Sequence, residues 1–134
     1  MRAVLDANVI ISAMLSRSGP PAALLQSAEH GRYEVITTGK LLTEVVRSLR
    51  SAKLAHRVSA ERLEDLIHFL VHSARLVPDA ASNDDQITSD PDDEYLIAIA
   101  QKSKAALVTG DRHLLDLPGM PAIMSPRQFL TLLA

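Results

Sequence analysis

The sequence predicts an α/β protein with three layers, α/β/α, around a central, mostly parallel sheet. Short β-type apolar runs alternate with helical patterns along the chain, the pattern of βαβ units joined by right-handed crossovers. Two of those runs stop on an acid: Val4-Leu5-Asp6 near one end, and Ala105-Ala106-Leu107-Val108-Thr109-Gly110-Asp111 near the other. In an open parallel sheet, ligands gather outside the carboxyl ends of the strands, so two acidic strand ends from distant sequence point to one place. The third observation is Asp90-Pro91-Asp92-Asp93-Glu94 at the start of a strong helical pattern.

Arg2 to Asp6 reads as the first strand. Pro20 to His30 carries Ala22, Ala23, Leu24, Leu25 and Ala28, a helix with Pro in its first turn and Gly31 as its stop. Tyr33 to Thr37 is a second strand, and Leu41, Leu42, Val45, Val46 and Leu49 then recur at helical spacing. Ser59 is a good N-cap for a helix burying Leu63, Leu66, Ile67, Leu70 and Val71. Arg75 to Val77 is a short third strand, and the polar stretch from Asp79 to Asp92 reads as a loop delivering the acidic cluster. Glu94 to Lys104 is helical, with Leu96, Ile97, Ile99 and Ala100 inward. Ala105 to Thr109 is the fourth strand, Pro121 to Met124 the fifth, and Ser125-Pro126 caps a final helix bearing Phe129, Leu130 and Leu133. No repeat, low-complexity tract or linker interrupts the 134 residues, so one domain over 1–134 is expected.

Composition narrows the function. With 47% apolar and 22% charged residues the chain reads as an ordinary folded protein. Cysteine is absent, which excludes disulfides, thiolate metal sites and a cysteine nucleophile. Asp6 and Asn8 interrupt any leader-like stretch, and no uncharged apolar run approaches the roughly 20 residues of a membrane helix. A soluble, cytoplasmic protein that avoids membranes is expected. The net charge of −2 is unevenly spread. Val45 to Ala60 holds Arg47, Arg50, Lys53 and Arg57 and no acid, whereas Asp79 to Glu94 holds seven acids and no base. A basic surface beside an acidic pocket suits a metal-dependent nuclease, one part binding phosphates and the other holding cations. Two solvated segments that keep the protein soluble are the plainer alternative.

Asp6 is the sharpest single candidate, because a carboxylate buried at a strand end is costly unless paired or bound to metal. Asn8 and Ser12 could orient it; its ordinary alternative is a helix cap. Asp93 stands at the start of a helix, where an anion is favoured. It also lies in register with Leu96, Ile97 and Ala100, on the inward stripe. Asp90 and Asp92 share its position but read equally well as turn residues. Asp111 follows Thr109-Gly110, where the Thr hydroxyl can bond a carboxylate or a metal-bound water. Asp116 reads as readily as a cap before Pro118. Glu44 falls at the flank of its helix's apolar face, and periodicity alone reads it as solvated. Converging carboxylates need protons or cations to coexist, so a divalent-metal site is expected. Of the five histidines, His68 and His72 stand four apart as a zinc pair could, but on a face that reads as solvated. No Ser-His-Asp order, phosphate loop or zinc motif is present.

Asp6-Ala7-Asn8-Val9-Ile10-Ile11-Ser12, Glu44 on the helix after the second strand, Asp90-Pro91-Asp92-Asp93-Glu94-Tyr95-Leu96-Ile97-Ala98 and Leu107-Val108-Thr109-Gly110-Asp111 occur in that order along essentially the whole chain. Together they resemble the PIN-domain family, and most of all its small bacterial toxins related to VapC. Ala7 stands where family members often have Thr, a departure that leaves the acids intact. The resemblance implies a Mg²⁺- or Mn²⁺-dependent ribonuclease, often a homodimer, whose partner is a cognate antitoxin with a tail that blocks the acidic pocket. Carried over by position, the acidic set is Asp6, Glu44, Asp93 and Asp111, with Asp92 or Asp116 able to assist. Asp6 and Asp93 would hold metal, Glu44 and Asp111 would complete the site or orient the attacking water, and Asn8, Ser12 and Thr109 would support them from behind. Mg²⁺ prefers carboxylates and retained waters, and metal-activated water would cleave the phosphodiester. The substrate would be single-stranded or loop RNA held by Arg47, Arg50, Lys53 and Arg57 as a helical stripe, with little base stacking from two Phe and two Tyr.

Three other classes fit less well. A receiver domain needs paired acids after its first strand and a Lys after its fifth, but the chain has a lone Asp6 and no Lys between Pro121 and Pro126. A haloacid-dehalogenase-type phosphatase needs Asp-x-Asp, and Asn8 fills the second place. An inactive PIN-like binding module is disfavoured by the intact acids.

Overall fold

The computed structural model describes residues 1–79, 91–119 and 121–134, excluding the side chains of Pro91 and Asp92. The order among these residues is β1 (Arg2–Leu5), α1 (Ala7–Leu15), α2 (Pro20–Glu29), β2 (Glu34–Thr38), α3 (Gly39–Leu49), α4 (Ala60–His72), β3 (Arg75–Val77), α5 (Pro91–Ser103), β4 (Ala106–Val108), α6 (Arg112–Leu115), β5 (Ile123–Met124) and α7 (Pro126–Leu133). The strands form one sheet in the order β3-β2-β1-β4-β5, and every pairing is parallel. The expected three-layer α/β/α architecture is present, with a sheet that is wholly parallel.

The order reverses at β1, which lies between β2 and β4. Right-handed crossovers place connections running from β1 through β2 to β3 over one face and the return to β4 over the other. Packing agrees: α1 contacts α2 and α3, α3 contacts α4, and α7 contacts α2, whereas α5 lies against β1 and β4. A parallel sheet covered on both faces needs strands that are apolar throughout. Ala3, Val4 and Leu5 are accordingly buried, as are Leu107 and Val108. Tyr33 and Phe129 lie edge to face with centroids 5.0 Å apart, and the Tyr33 hydroxyl donates to the Leu24 carbonyl at 2.9 Å.

Several helix ends follow from local chemistry. Ser59 accepts from the Arg62 N–H to start α4. Ser125 and Gln128 form a reciprocal capping box on α7. Gly31 adopts φ 75° after α2, the left-handed turn that glycine permits at a helix end.

Five expectations are corrected. The chain after Asp6 is helical from Ala7 to Leu15, a helix missing from the expected order of elements; Asp6 stands at its N-cap, as the alternative reading allows, but makes no side-chain capping bond. Arg112–Leu115 is a further short helix. α5 begins at Pro91, so Pro91 and Asp92 are helical and not loop; the rest of that expected loop, Asp90 included, lies outside the described residues beyond Asp79. Val71 is 41% exposed instead of buried. Finally, Arg47, Arg50, Lys53 and Arg57 do not form one helical stripe. α3 ends at Leu49, where the Ser51 hydroxyl takes the Ser48 carbonyl at 2.7 Å, and a run of turns carries Lys53 and Arg57. Serine side chains compete for backbone groups in this way and favour helix ends. All four cations are nonetheless exposed.

Candidate active site

At the reversal point β1 and β4 are direct neighbours, with Leu5 opposite Val108. Their carboxyl ends therefore emerge side by side. The Asp6 N–H donates to the Val108 carbonyl at 2.9 Å, extending the pairing by one residue. Thr109, fully buried, donates its hydroxyl to Asp6 Oδ2 at 2.8 Å. Asn8 bridges the same two ends: its Nδ2 donates to Asp6 Oδ2 at 3.3 Å, and its Oδ1 accepts from the Gly110 N–H at 3.4 Å. Asp111 is held in turn, its N–H donating to Thr109 Oγ1 at 3.1 Å while its carboxylate caps α6 through the His113 N–H at 2.9 Å.

A cleft of about 380 Å³ opens over these strand ends. Asp6 lines it from the junction of β1 and α1, Asn8 from α1, Lys40 and Glu44 from α3, Asp93 and Tyr95 from α5, and Asp111 from beyond β4. Asp6, Glu44, Asp93 and Asp111 thus come from four separate stretches of sequence to one cavity. Ser12 is exposed and outside the lining, and Asp116 ends α6 away from it. The Asp92 side chain lies outside the described residues. His68 and His72 are both exposed on α4 with ring centroids 4.4 Å apart, and neither lines the cleft. A larger groove of about 490 Å³, bordered by Met14, Arg17, Leu25, Arg62 and Phe69, gathers no comparable set of acids.

Burial pushes the Asp6 carboxyl above its ordinary range; the Thr109 hydrogen bond and nearby backbone N–H groups oppose this, and the Asp111 charge adds to it. A carboxylate so placed gains from a cation. Among the described residues, no three acidic or histidine side chains stand close enough to form a ready-made ion cage. The donor chemistry nevertheless fits a hard divalent cation: the acids lining the cleft offer oxygen alone, and Mg²⁺ usually takes one or two carboxylates and keeps its waters.

Two features of the cleft were not foreseen. Lys40 brings a positive charge into the lining, with Nζ 4.2 Å from the centre of the Tyr95 ring. Tyr95 itself joins a hydrogen-bonded set: its hydroxyl pairs with Thr38 Oγ1 and donates to Asp79 Oδ1 at 2.7 Å, and Asp79 Oδ1 also accepts from the Lys40 N–H at 3.4 Å. Desolvation, and after it the hydrogen bond to Asp79 and the charges of Asp79 and Glu44, push the Tyr95 hydroxyl up to about 12 against the opposing Thr38 hydrogen bond. The Tyr95 hydrogen bond holds Asp79 below the usual carboxylate range.

A wholly parallel α/β sheet whose strand order reverses at β1 is the class of fold that places its ligand cleft outside the carboxyl ends of the strands at that point. The sequence profile of the PIN domain matches residues 2–113, and the chain belongs to the PIN-domain family. It is 30% identical over 119 residues to an uncharacterized protein of Methanocaldococcus jannaschii, covering 87% of this chain and 75% of that protein. Two solved structures share the fold. One is VapBC2 from Rickettsia felis bound to a DNA fragment from its promoter, with a TM-score of 0.63 and 15% identity over 93% of this chain and 98% of the other. The second is PAE2754 from Pyrobaculum aerophilum, with a TM-score of 0.64 and 19% identity over 99% of this chain and 89% of the other.

Proposed function

We propose that the chain is a Mg²⁺- or Mn²⁺-dependent endoribonuclease and the toxin of a toxin–antitoxin pair. The observation that carries this reading is the convergence of Asp6, Glu44, Asp93 and Asp111 on one cleft at the sheet's reversal point. Asp6 and Asp93 are the assigned metal ligands, with Glu44 and Asp111 completing the set. The bound cation would supply an activated water and neutralise charge on the leaving oxygen of an RNA phosphodiester. The protein's own part is orientation. Thr109 and Asn8 fix the Asp6 carboxylate from behind, and the cap on α6 fixes Asp111. Lys40 places a positive charge where a phosphate would enter. The exposed Arg47, Arg50, Lys53 and Arg57 bind phosphates of the RNA beyond the cleft.

Fold likeness to the Rickettsia felis VapBC2 structure supports an antitoxin partner, whose tail would enter the acidic cleft. A homodimer in the cytoplasm completes the proposal; no described helix is long and apolar enough to cross a membrane. The test is cleavage of single-stranded RNA by the purified chain. Cleavage should require Mg²⁺ or Mn²⁺, stop with chelator and vanish in Asp6→Asn or Asp93→Asn. Wild-type cleavage rates in either variant would remove that residue from the site. A second reading, a binding module without activity, draws on the absence of a ready-made ion cage among the described residues. It expects RNA or partner binding with no cleavage at any metal concentration.

A further inference from the structure

We propose that Tyr95 is a positioning residue: its hydroxyl ties the start of α5 to the start of α3 and so sets how Asp93 and Glu44 face each other across the cleft. What the cleft does rests on the nuclease reading above.

Asp6 and Asp111 are held by the sheet, since they follow paired strands and share Thr109 as a partner. Glu44 and Asp93 are carried instead by helices, α3 packed on α1 and α4 and α5 packed on β1 and β4. Glu44 projects from α3 and Asp93 from the first turn of α5, and thirteen residues of sequence separate Val77 at the end of β3 from Pro91. Tyr95, two residues beyond Asp93, supplies a direct link. Its single proton goes to Asp79 Oδ1, so in the pair with Thr38 the threonine must donate. Thr38 Oγ1 in turn accepts from the Leu41 N–H at 3.1 Å.

The bonds therefore run one way, from the Leu41 N–H through Thr38 and Tyr95 to the Asp79 carboxylate, which the Lys40 N–H also meets. Thr38 is fully buried at the end of β2 and caps α3. The relay consequently anchors α5 to a point that cannot shift without disturbing the sheet. Groups bonded directly to metal ligands commonly change metal affinity by roughly 10–100-fold when removed; Tyr95 acts one step further out, through the placement of α5, so the lower end of that range applies.

The experiment titrates Mn²⁺ by electron paramagnetic resonance into the wild type, Tyr95→Phe, Asp79→Asn and Asp6→Asn, and follows amide hydrogen exchange without metal. Tyr95→Phe keeps the ring and loses only the bonds; Asp79 is exposed, so Asp79→Asn probes the other end of the relay without a folding risk. Expected are faster exchange in the first turns of α3 and α5 and Mn²⁺ binding about tenfold weaker in both relay variants. Mn²⁺ affinity at the wild-type value in Tyr95→Phe and Asp79→Asn overturns the proposal, whether or not exchange quickens. If Asp6→Asn loses Mn²⁺ in that same experiment, the nuclease reading stands and only the positioning role falls. A wild type that binds no Mn²⁺ overturns both.

Discussion

The Thr109 hydroxyl reaches Asp6 Oδ2 at 2.8 Å across 103 positions of sequence. The bond exists because β1 and β4 pair in parallel register and end together. Hydrogen bonds to charged groups contribute about 1.5–3 kcal/mol, more than neutral ones. This one also leaves Thr109 Oγ1 able to accept from the Asp111 N–H.

Thr109→Val keeps the shape of a fully buried residue and removes the hydroxyl. We expect a loss of about 1–2 kcal/mol, read as a lower urea midpoint at constant slope. The Asp6 carboxyl should titrate higher still, because the Thr109 bond is the foremost influence holding it down. Carbon-detected NMR titration of the Asp6 carboxyl checks the direction, and an unchanged or lower value would refute it.

The raised Asp6 carboxyl also makes a prediction about pH. A group whose folded value lies above its unfolded one is bound by a proton more tightly in the native state. Stability is then greatest at low pH and falls as pH climbs from the unfolded value, 3.8, through the raised folded value. Without metal, Asp6→Asn should therefore raise the melting temperature at neutral pH and remove that part of the pH dependence. The opposite sign, a variant less stable than wild type in chelator at neutral pH, would mean that the ionised carboxylate helps the fold. Asp79 should act the other way, its contribution being lost as pH falls, since its carboxyl is lowered.

Asp6 and Asp111 were legible in the sequence because a strand that stops on an acid is a local pattern. Asp93 was legible because its register coincides with Leu96, Ile97 and Ala100, all of which are buried. Glu44 was not: it is exposed on α3, and only resemblance to the family drew it into the set. α1 escaped because Val9-Ile10-Ile11 is β-branched and its helix is buried on several sides, leaving no clean polar face to mark a period. The basic segment misled in the other direction, since charges at helical intervals continued past a helix that Ser48 and Ser51 bring to an end. Thr38, Asp79 and Tyr95 left no sequence signal, because nothing local tells a tyrosine which carboxylate 16 positions away will accept its proton.

Metal should stabilise the fold by mass action, because the cleft's acids repel when bare and a cation binds only where they are gathered. Millimolar Mn²⁺ should raise the melting temperature by an amount that grows with the logarithm of its concentration. A concentration one hundred times the dissociation constant corresponds to about 2.7 kcal/mol. Asp6→Asn should lose most of the response, and a flat wild-type curve across that range would count against a metal in the cleft.

Arg50 and Lys53 are exposed, lie at the C-cap of α3 and in the turns beyond it, and do not line the carboxylate cleft. If they hold RNA, they do so through phosphate charge alone. Each phosphate contact to a single strand contributes about 0.7 to the slope of log affinity against log salt. Changing both residues to Ala should thus weaken RNA binding and flatten that slope by about 1.4, twice the single-contact value. Turnover at saturating RNA should stay close to wild type, because the groups lining the cleft are untouched and the lost interaction acts equally on ground and transition states. Loss of the helical stripe does not weaken this expectation, since counterion release depends on charge near the phosphate backbone and not on helical register. A double variant that binds RNA normally with an unchanged salt slope, yet fails to bind the antitoxin, would reassign this surface to the protein partner.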